Sequence, residues 1–131
     1  MAVIPLKKSL KGIIRFNPEM TTLSEKIKRL ARYVRDNPDD SFSKFALALE
    51  LLKNNQVEKA LTLFESIYKN DPGYLGTYYH LGKLYQDMDR KGDAERMFRE
   101  GAVLAAQNHN PKTLSELNEA LEELREADHE S

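Results

Sequence analysis

The sequence repeats its order of side-chain sizes after 34 residues, and this period limits the possible folds more than any other feature. When the chain is shifted by 34 residues, small residues meet small residues and bulky apolar residues meet bulky apolar ones. The aligned pairs are Leu47 with Leu81, Ala48 with Gly82, Leu51 with Tyr85, Ala60 with Ala94, Phe64 with Phe98 and Pro38 with Pro72. Literal identity between the two windows is low. The period therefore predicts stacked units that share a packing pattern.

The repeated units are predicted to be helical, because apolar residues recur every three to four positions. None of these stretches shows the alternation of apolar and polar residues that is typical of a strand. The predicted helices lie near 23–36, 41–53, 57–70, 75–88, 92–107 and 113–127. The sequence TLSE, at Thr22 and again at Thr113, has the spacing of a capping box and predicts two helix starts. Connections of three to five residues favour antiparallel neighbours. The chain is therefore predicted to be all-α.

Gly82 lies within a predicted helix, where glycine costs about 1 kcal/mol relative to alanine. We expect packing to offset this cost. In an antiparallel helix pair, the small residue of the first helix, Gly82 or Ala48, would face the small residue of the second, Ala94 or Ala60. Two backbones can then approach closely, and the phenylalanine four residues later fills the space beyond.

The second copy reads Tyr78-x2-Leu81-Gly82-x2-Tyr85 and then Ala94-x3-Phe98, while the first reads Leu47-Ala48-x2-Leu51 and then Ala60-x3-Phe64. This pattern resembles the tetratricopeptide repeat, a helix–turn–helix unit of 34 residues. The chain departs from it at Lys44, where the family usually has an aromatic residue, and at Ala106, where proline would recur. The resemblance implies an α-solenoid of antiparallel helix pairs that binds other proteins without catalysis.

One domain over 1–131 is expected, with repeat 1 at 41–72, repeat 2 at 75–107, a capping helix at 113–127 and a disordered tail at 128–131. Residues 5–36 have two interpretations. One is a degenerate repeat, since the 34-residue shift places Leu10, Ile13, Ile14, Ile27, Leu30 and Tyr33 at positions that a repeat buries. The other is an N-terminal arm followed by one helix.

In this family the first helix of each pair lines the concave side, so residues of those helices not used in packing are the expected partner-binding groove. They are Phe42, Phe45, Leu49, Leu52, Tyr79, Lys83 and Gln86. The four apolar members form a row predicted to need a cover, because leaving each in water forgoes about 1.5–3 kcal/mol. The cover is residues 1–20 or the front repeat, a second copy in a homodimer, or a peptide of a partner.

Family members that grip acidic chaperone tails use lysine and asparagine in the groove. The matching positions here hold Phe45, Leu49 and His80. The resemblance therefore implies a partner segment that is apolar or mixed in character.

Charge is unevenly distributed, although the net charge is −1. Residues 1–35 contain nine lysines and arginines and two glutamates, whereas 113–131 contain one arginine and seven acidic residues. A basic N-terminal patch interleaved with apolar residues comprises Lys7, Lys8, Lys11 and Arg15. It is interpreted as a structural helix with solvated lysines, or alternatively as an amphipathic segment for an anionic membrane surface in a homodimeric scaffold. Nucleic acid is not an expected partner, because the whole chain is not basic.

No catalytic site, metal site or cofactor is predicted. The chain has no cysteine, and its three histidines, His80, His109 and His129, lack the spacing of a metal site. Phosphate-binding and nucleophile motifs are absent from the sequence. No apolar run approaches the ~20 residues of a membrane span, and charges interrupt the apolar start. A cytoplasmic location is the expectation from these features.

Overall fold

The computed structural model describes the backbone of residues 18–130 and the side chains of 25–127. This part of the chain is all-α, as predicted. It comprises α1 (Pro18–Asp36), α2 (Ser41–Lys53), α3 (Val57–Asn70), α4 (Gly76–Asp87), α5 (Lys91–Gln107) and α6 (Pro111–Glu130). The bounds of α2 and α3 match the predicted ones, and α6 continues three residues beyond the predicted 127. None of the described helices is long and apolar enough to cross a membrane.

Both predicted capping boxes were wrong. α1 already includes Thr22 in its interior, because the helix begins at Pro18. α6 begins at Pro111, and the side chain of Asn110 accepts a hydrogen bond from the backbone N–H of Thr113 at 3.1 Å. Asparagine is among the best N-caps, and proline is preorganised for the first helical position. This pair starts the helix two residues before the TLSE sequence.

The turns after α2, α4 and α5 share one geometry. Each contains a residue in the left-handed region, with φ of 59° at Asn55, 60° at Asp89 and 55° at His109. In each case the backbone N–H of the residue that follows donates to a carbonyl oxygen in the last turn of the preceding helix. The distance from Gln56 N to Leu51 O is 2.8 Å. Asparagine, aspartate and histidine are the non-glycine residues that enter this region most readily. The turns therefore close tight antiparallel pairs without glycine.

Each described helix packs on the next along the chain, and α2 to α6 build one continuous core. The largest fully buried side chains include Phe64 of α3 and Phe98 of α5, the two phenylalanines of the repeat pattern. The ring of Phe98 lies directly against Gly82, where an added Cβ would lie 2.6 Å from Phe98 Cζ. Glycine at position 82 therefore leaves space for the ring of Phe98. The close approach of the two helix backbones at Gly82 and Ala94 stays a prediction.

A second glycine, Gly101 of α5, sits where three helices meet. An added Cβ would lie 2.6 Å from Tyr78 Cβ on α4 and 3.0 Å from Leu117 Cδ1 on α6. Glycine at this position lets α5 lie close to both neighbours, so the predicted capping helix α6 is packed into the stack.

α1 joins the core through one side, where Ile27, Leu30 and Val34 are half-buried against it. Ile27 and Leu30 thus lie where a degenerate repeat would bury them, whereas Tyr33, which the same interpretation would bury, is 51% exposed. Residues 1–17, which hold Leu10, Ile13 and Ile14, lie outside the described part of the chain. The two interpretations of 5–36 both remain predictions.

Candidate functional site

The predicted groove residues all lie on α2 and α4, but they differ in exposure. Phe42 is 70% exposed. The other six, Phe45, Leu49, Leu52, Tyr79, Lys83 and Gln86, are half-buried. Three of the four apolar side chains of the row, Phe45, Leu49 and Leu52, pack against the core, and Phe42 remains exposed among the described residues. Whether these residues bind a partner stays a prediction.

The contacts of Phe45 show what covers this member of the row. Its ring lies 5.7 Å from Phe64, 5.3 Å from Tyr74 and 5.4 Å from His80, measured between ring centroids. An added Cβ at Gly76 would lie 3.1 Å from Phe45 Cζ. The following unit, through the start of α4, therefore covers Phe45. The start of α4 was not among the covers predicted from the sequence.

His80 belongs to this aromatic cluster. Its ring stacks on Phe64 at 5.3 Å with an angle of 4° between the planes, and Tyr79 lies edge-on to it at 5.7 Å. Burial among aromatic rings disfavours the imidazolium and lowers the pKa of His80 below 6.5. His80 therefore enters the folded core in its neutral form.

The lowered pKa makes stability depend on pH. Between the folded and unfolded pKa values of His80, the unfolded state binds more protons, so the free energy of unfolding falls as the pH drops below about 6.5. Urea unfolding at pH 7.5 and 5.5 should show this loss. A His80→Gln variant should lose most of the dependence, whereas His109→Asn, at an exposed position, should keep it. Equal dependence in both variants would contradict the assignment.

On the other side of α4, Tyr79 faces α6. Together with Glu116, Glu119, Ala120 and Glu123 it lines a cavity of about 200 Å³. The sequence analysis recorded the acidic charge of 113–131 but did not predict this arrangement. The spacing of three, then four, residues between Glu116, Glu119 and Glu123 was the available signal, because it places them on one side of a helix.

Two charged residues of α2 are buried. Lys44, at the position where the repeat pattern has an aromatic residue, is 8% exposed, and its Nζ donates to Ser66 Oγ at 3.2 Å. Glu50 is 6% exposed, and its Oε1 accepts from Lys26 Nζ at 3.1 Å and from Lys53 Nζ at 3.4 Å. Hydrogen bonding from Lys26 lowers the pKa of the Glu50 carboxyl, and Lys53 adds to this effect. Sequence reasoning did not single out Glu50.

A separate apolar cavity of about 340 Å³ lies where α1, α2 and α3 meet. Its lining residues are mainly apolar: Ile27, Ala31, Leu47, Leu51, Lys59, Thr62 and Leu63. No grouping of acidic or histidine side chains suited to a metal ion occurs among the described residues. The basic N-terminal patch of Lys7, Lys8, Lys11 and Arg15 lies outside the part that the structure describes.

No protein-family model matches the chain, and no curated protein matches it. Solved structures do match. A tetratricopeptide repeat domain protein from Salinibacter ruber, studied in solution, is 45% identical, with a TM-score of 0.62 over 66% of this chain and 88% of that one. The crystal structure of the tetratricopeptide repeat domain protein from the same organism is 44% identical, with a TM-score of 0.64 over 66% of this chain and 97% of that one.

Two more distant structures share the fold over most of the chain. PcrH, in complex with the chaperone binding region of PopD, has a TM-score of 0.74 at 14% identity, over 92% of each chain. The TPR2B domain of yeast Sti1, in a complex with pHsp70, has a TM-score of 0.72 at 12% identity, over 86% of this chain and 90% of that one. The similarity to the Salinibacter domain, together with the repeat pattern and the stacked helix pairs, shows that this chain belongs to the tetratricopeptide repeat family.

Proposed function

We propose that the protein is an interaction module that holds a short segment of a partner protein against α4 and α6. The observation that carries this proposal is the cavity between Tyr79 and the three glutamates of α6. It combines an aromatic ring with carboxylates that can pair with a cation. PcrH and Sti1 TPR2B, which share the fold, were each solved with a protein or peptide partner, and this supports the same general role.

The chemistry of the cavity specifies the partner segment. A lysine or arginine side chain can pair with Glu116, Glu119 or Glu123 while its stem lies on the Tyr79 ring. Lys83 and Gln86 follow Tyr79 on α4 and offer hydrogen bonds to a peptide backbone. The proposed ligand is therefore a peptide with one basic residue beside apolar ones, a narrower form of the apolar or mixed segment predicted from the sequence.

Selection from a random peptide library with the full chain tests the proposal. Enriched peptides should contain lysine or arginine next to apolar residues. Their affinity, measured by fluorescence polarisation, should fall with added salt because the charges are largely exposed. Enrichment of acidic peptides, or no enrichment, would contradict the proposal.

A matched pair of charge variants locates the site. Glu119→Gln combined with Glu123→Gln should weaken binding of a selected basic peptide about tenfold, since interface contacts of this kind contribute about 1 kcal/mol or more. Glu122→Gln is the control, because Glu122 lies on the same helix outside the cavity lined by Tyr79. If Glu122→Gln weakens binding as much as the double variant does, the peptide binds elsewhere on α6.

A further inference from the structure

The apolar cavity between α1, α2 and α3 has a buried floor and an exposed mouth. Leu47 and Leu51 of α2 are each 6% exposed and form the floor. Ile27 of α1 and Leu63 of α3 are half-buried at its sides. Small-molecule sites usually have volumes of about 300–1,000 Å³ and are mostly apolar with a few polar groups. At about 340 Å³, this cavity has the size and the lining of such a site.

The following unit shows why this space is open. The 34-residue register takes Ala31 of the cavity to Glu65, and Leu51 to Tyr85. Tyr85 is 5% exposed, and its hydroxyl donates to Glu65 Oε2 at 2.6 Å. Alanine and leucine are smaller than glutamate and tyrosine and cannot form this hydrogen bond. The first unit therefore lacks the two side chains that meet at the equivalent position between α3 and α4.

The mouth of the cavity is positively charged. Lys59 is exposed there, and its equivalent in the following unit is the acidic Asp93. Lys28 and Arg35 are exposed beside Ala31, one turn before it and one turn after it on α1. Among the described residues that line the cavity, none is acidic. Apolar walls beneath a basic mouth match a molecule that has an alkyl chain and one carboxylate.

We propose that this cavity binds an unbranched alkyl carboxylate, such as a medium-chain fatty acid. Its chain lies over Leu47 and Leu51, and its carboxylate pairs with Lys59. An apolar cavity of about 150 Å³ holds benzene, so roughly twelve carbon atoms fit in this one. The cavity shares no lining residue with the proposed peptide site, so either proposal can fail without the other.

Isothermal titration calorimetry of the full chain with alkyl carboxylates from hexanoate to hexadecanoate tests the proposal. Affinity should rise about fourfold with each added methylene, as expected for burial of apolar surface, and level off near dodecanoate. Decyltrimethylammonium, which replaces the carboxylate by a cation on a chain of similar length, should bind about tenfold more weakly than decanoate. Equal affinity for these two molecules would overturn the proposal, and so would the absence of binding by every carboxylate.

The following unit supplies a variant that fills the cavity. Ala31→Glu combined with Leu51→Tyr copies the Glu65–Tyr85 pair into the first unit and should abolish decanoate binding. Because the same pair is accommodated between α3 and α4, the variant should keep a cooperative urea transition. Unchanged decanoate binding by the folded double variant would overturn the proposed location.

A charge variant that leaves the floor intact tests the contact with the carboxylate. Lys59→Gln should lower the affinity for decanoate about fivefold and leave that for 1-decanol unchanged. Lys69→Gln is the control, because Lys69 is exposed on the same helix outside the cavity, and it should change neither affinity. Equal losses of decanoate affinity in the two variants would overturn the pairing with Lys59.

Two measurements distinguish other occupants of the cavity. Light scattering should give the same mass for the full chain with and without decanoate. A dimer that either decanoate or the filled double variant dissociates would show that a second copy occupies the cavity, and would overturn the proposal. A basic peptide selected for the site on α6 should bind equally well in the presence of decanoate. Competition between the two would place them at one site and would overturn the proposal as well.

Discussion

Phe98→Ala should lower the free energy of unfolding by about 3–5 kcal/mol, the largest effect that we expect from one substitution. The Phe98 side chain is fully buried in the core between α4 and α5 and lies directly against Gly82. Removing the ring leaves a cavity that the helices can close only partly, because the turns on both sides fix their separation. Urea unfolding followed by circular dichroism measures the change.

The matched control for this cavity is Val103→Ala, five residues later on the same helix. Val103 is 58% exposed, so its truncation should change the free energy of unfolding by less than about 0.5 kcal/mol. Similar losses in the two variants would mean that the response does not come from a cavity at Phe98, because alanine is a better helix former than either residue that it replaces. A loss below about 1 kcal/mol for Phe98→Ala would show that the ring is not a packed core residue.

Gly82→Ala should destabilise the protein by about 1–3 kcal/mol through overpacking. Alanine is the better helix former by about 1 kcal/mol, so intrinsic propensity alone predicts the opposite sign. The added Cβ, however, would lie 2.6 Å from Phe98 Cζ and closer still to other atoms of that ring. Thermal or urea unfolding decides between the two signs, and Gly82→Leu should be worse than alanine.

A second glycine and a double variant make this test specific. Gly92→Ala places its Cβ where no atom lies within 4 Å, so it should leave stability unchanged or raise it by up to about 1 kcal/mol. In a Phe98→Ala background, Gly82→Ala should cost nothing, because the atoms that it would meet are gone. An unchanged penalty in that background would place the conflict somewhere other than Phe98.

The sequence predicted the helical elements of this protein well because their signal is local and repeated. Apolar spacing placed α2 and α3 with the observed bounds, and proline fixed the ends before residues 38 and 72. The capping box predicted at Thr113 failed for a local reason as well. Asn110 followed by Pro111 is a stronger start signal than the TLSE sequence that follows it.

The exposure of the groove residues was harder to predict. Position along α2 placed Phe45 off the core-facing side of its own helix pair. The row to which it belongs was predicted to need a cover, and the candidates were residues 1–20 or the front repeat, a second copy, or a partner peptide. In the structure the next unit covers Phe45 with Gly76 and His80. A helical pattern shows which side of a helix is apolar, but it does not show how far a later helix reaches over it.

The sequence by itself determined the period, the helices and the need for a small residue at Gly82, because each depends on residue types at fixed spacing. The tertiary structure decided that the ring of Phe98 lies directly against Gly82. Only the tertiary structure decided which polar groups meet across units. Tyr85 donates its hydroxyl hydrogen to Glu65 at 2.6 Å, Glu50 pairs with Lys26, and Tyr79 faces three glutamates of α6. These contacts join residues about 20 to 40 positions apart, and only the packing angles between helices determine which side chains come within bonding distance.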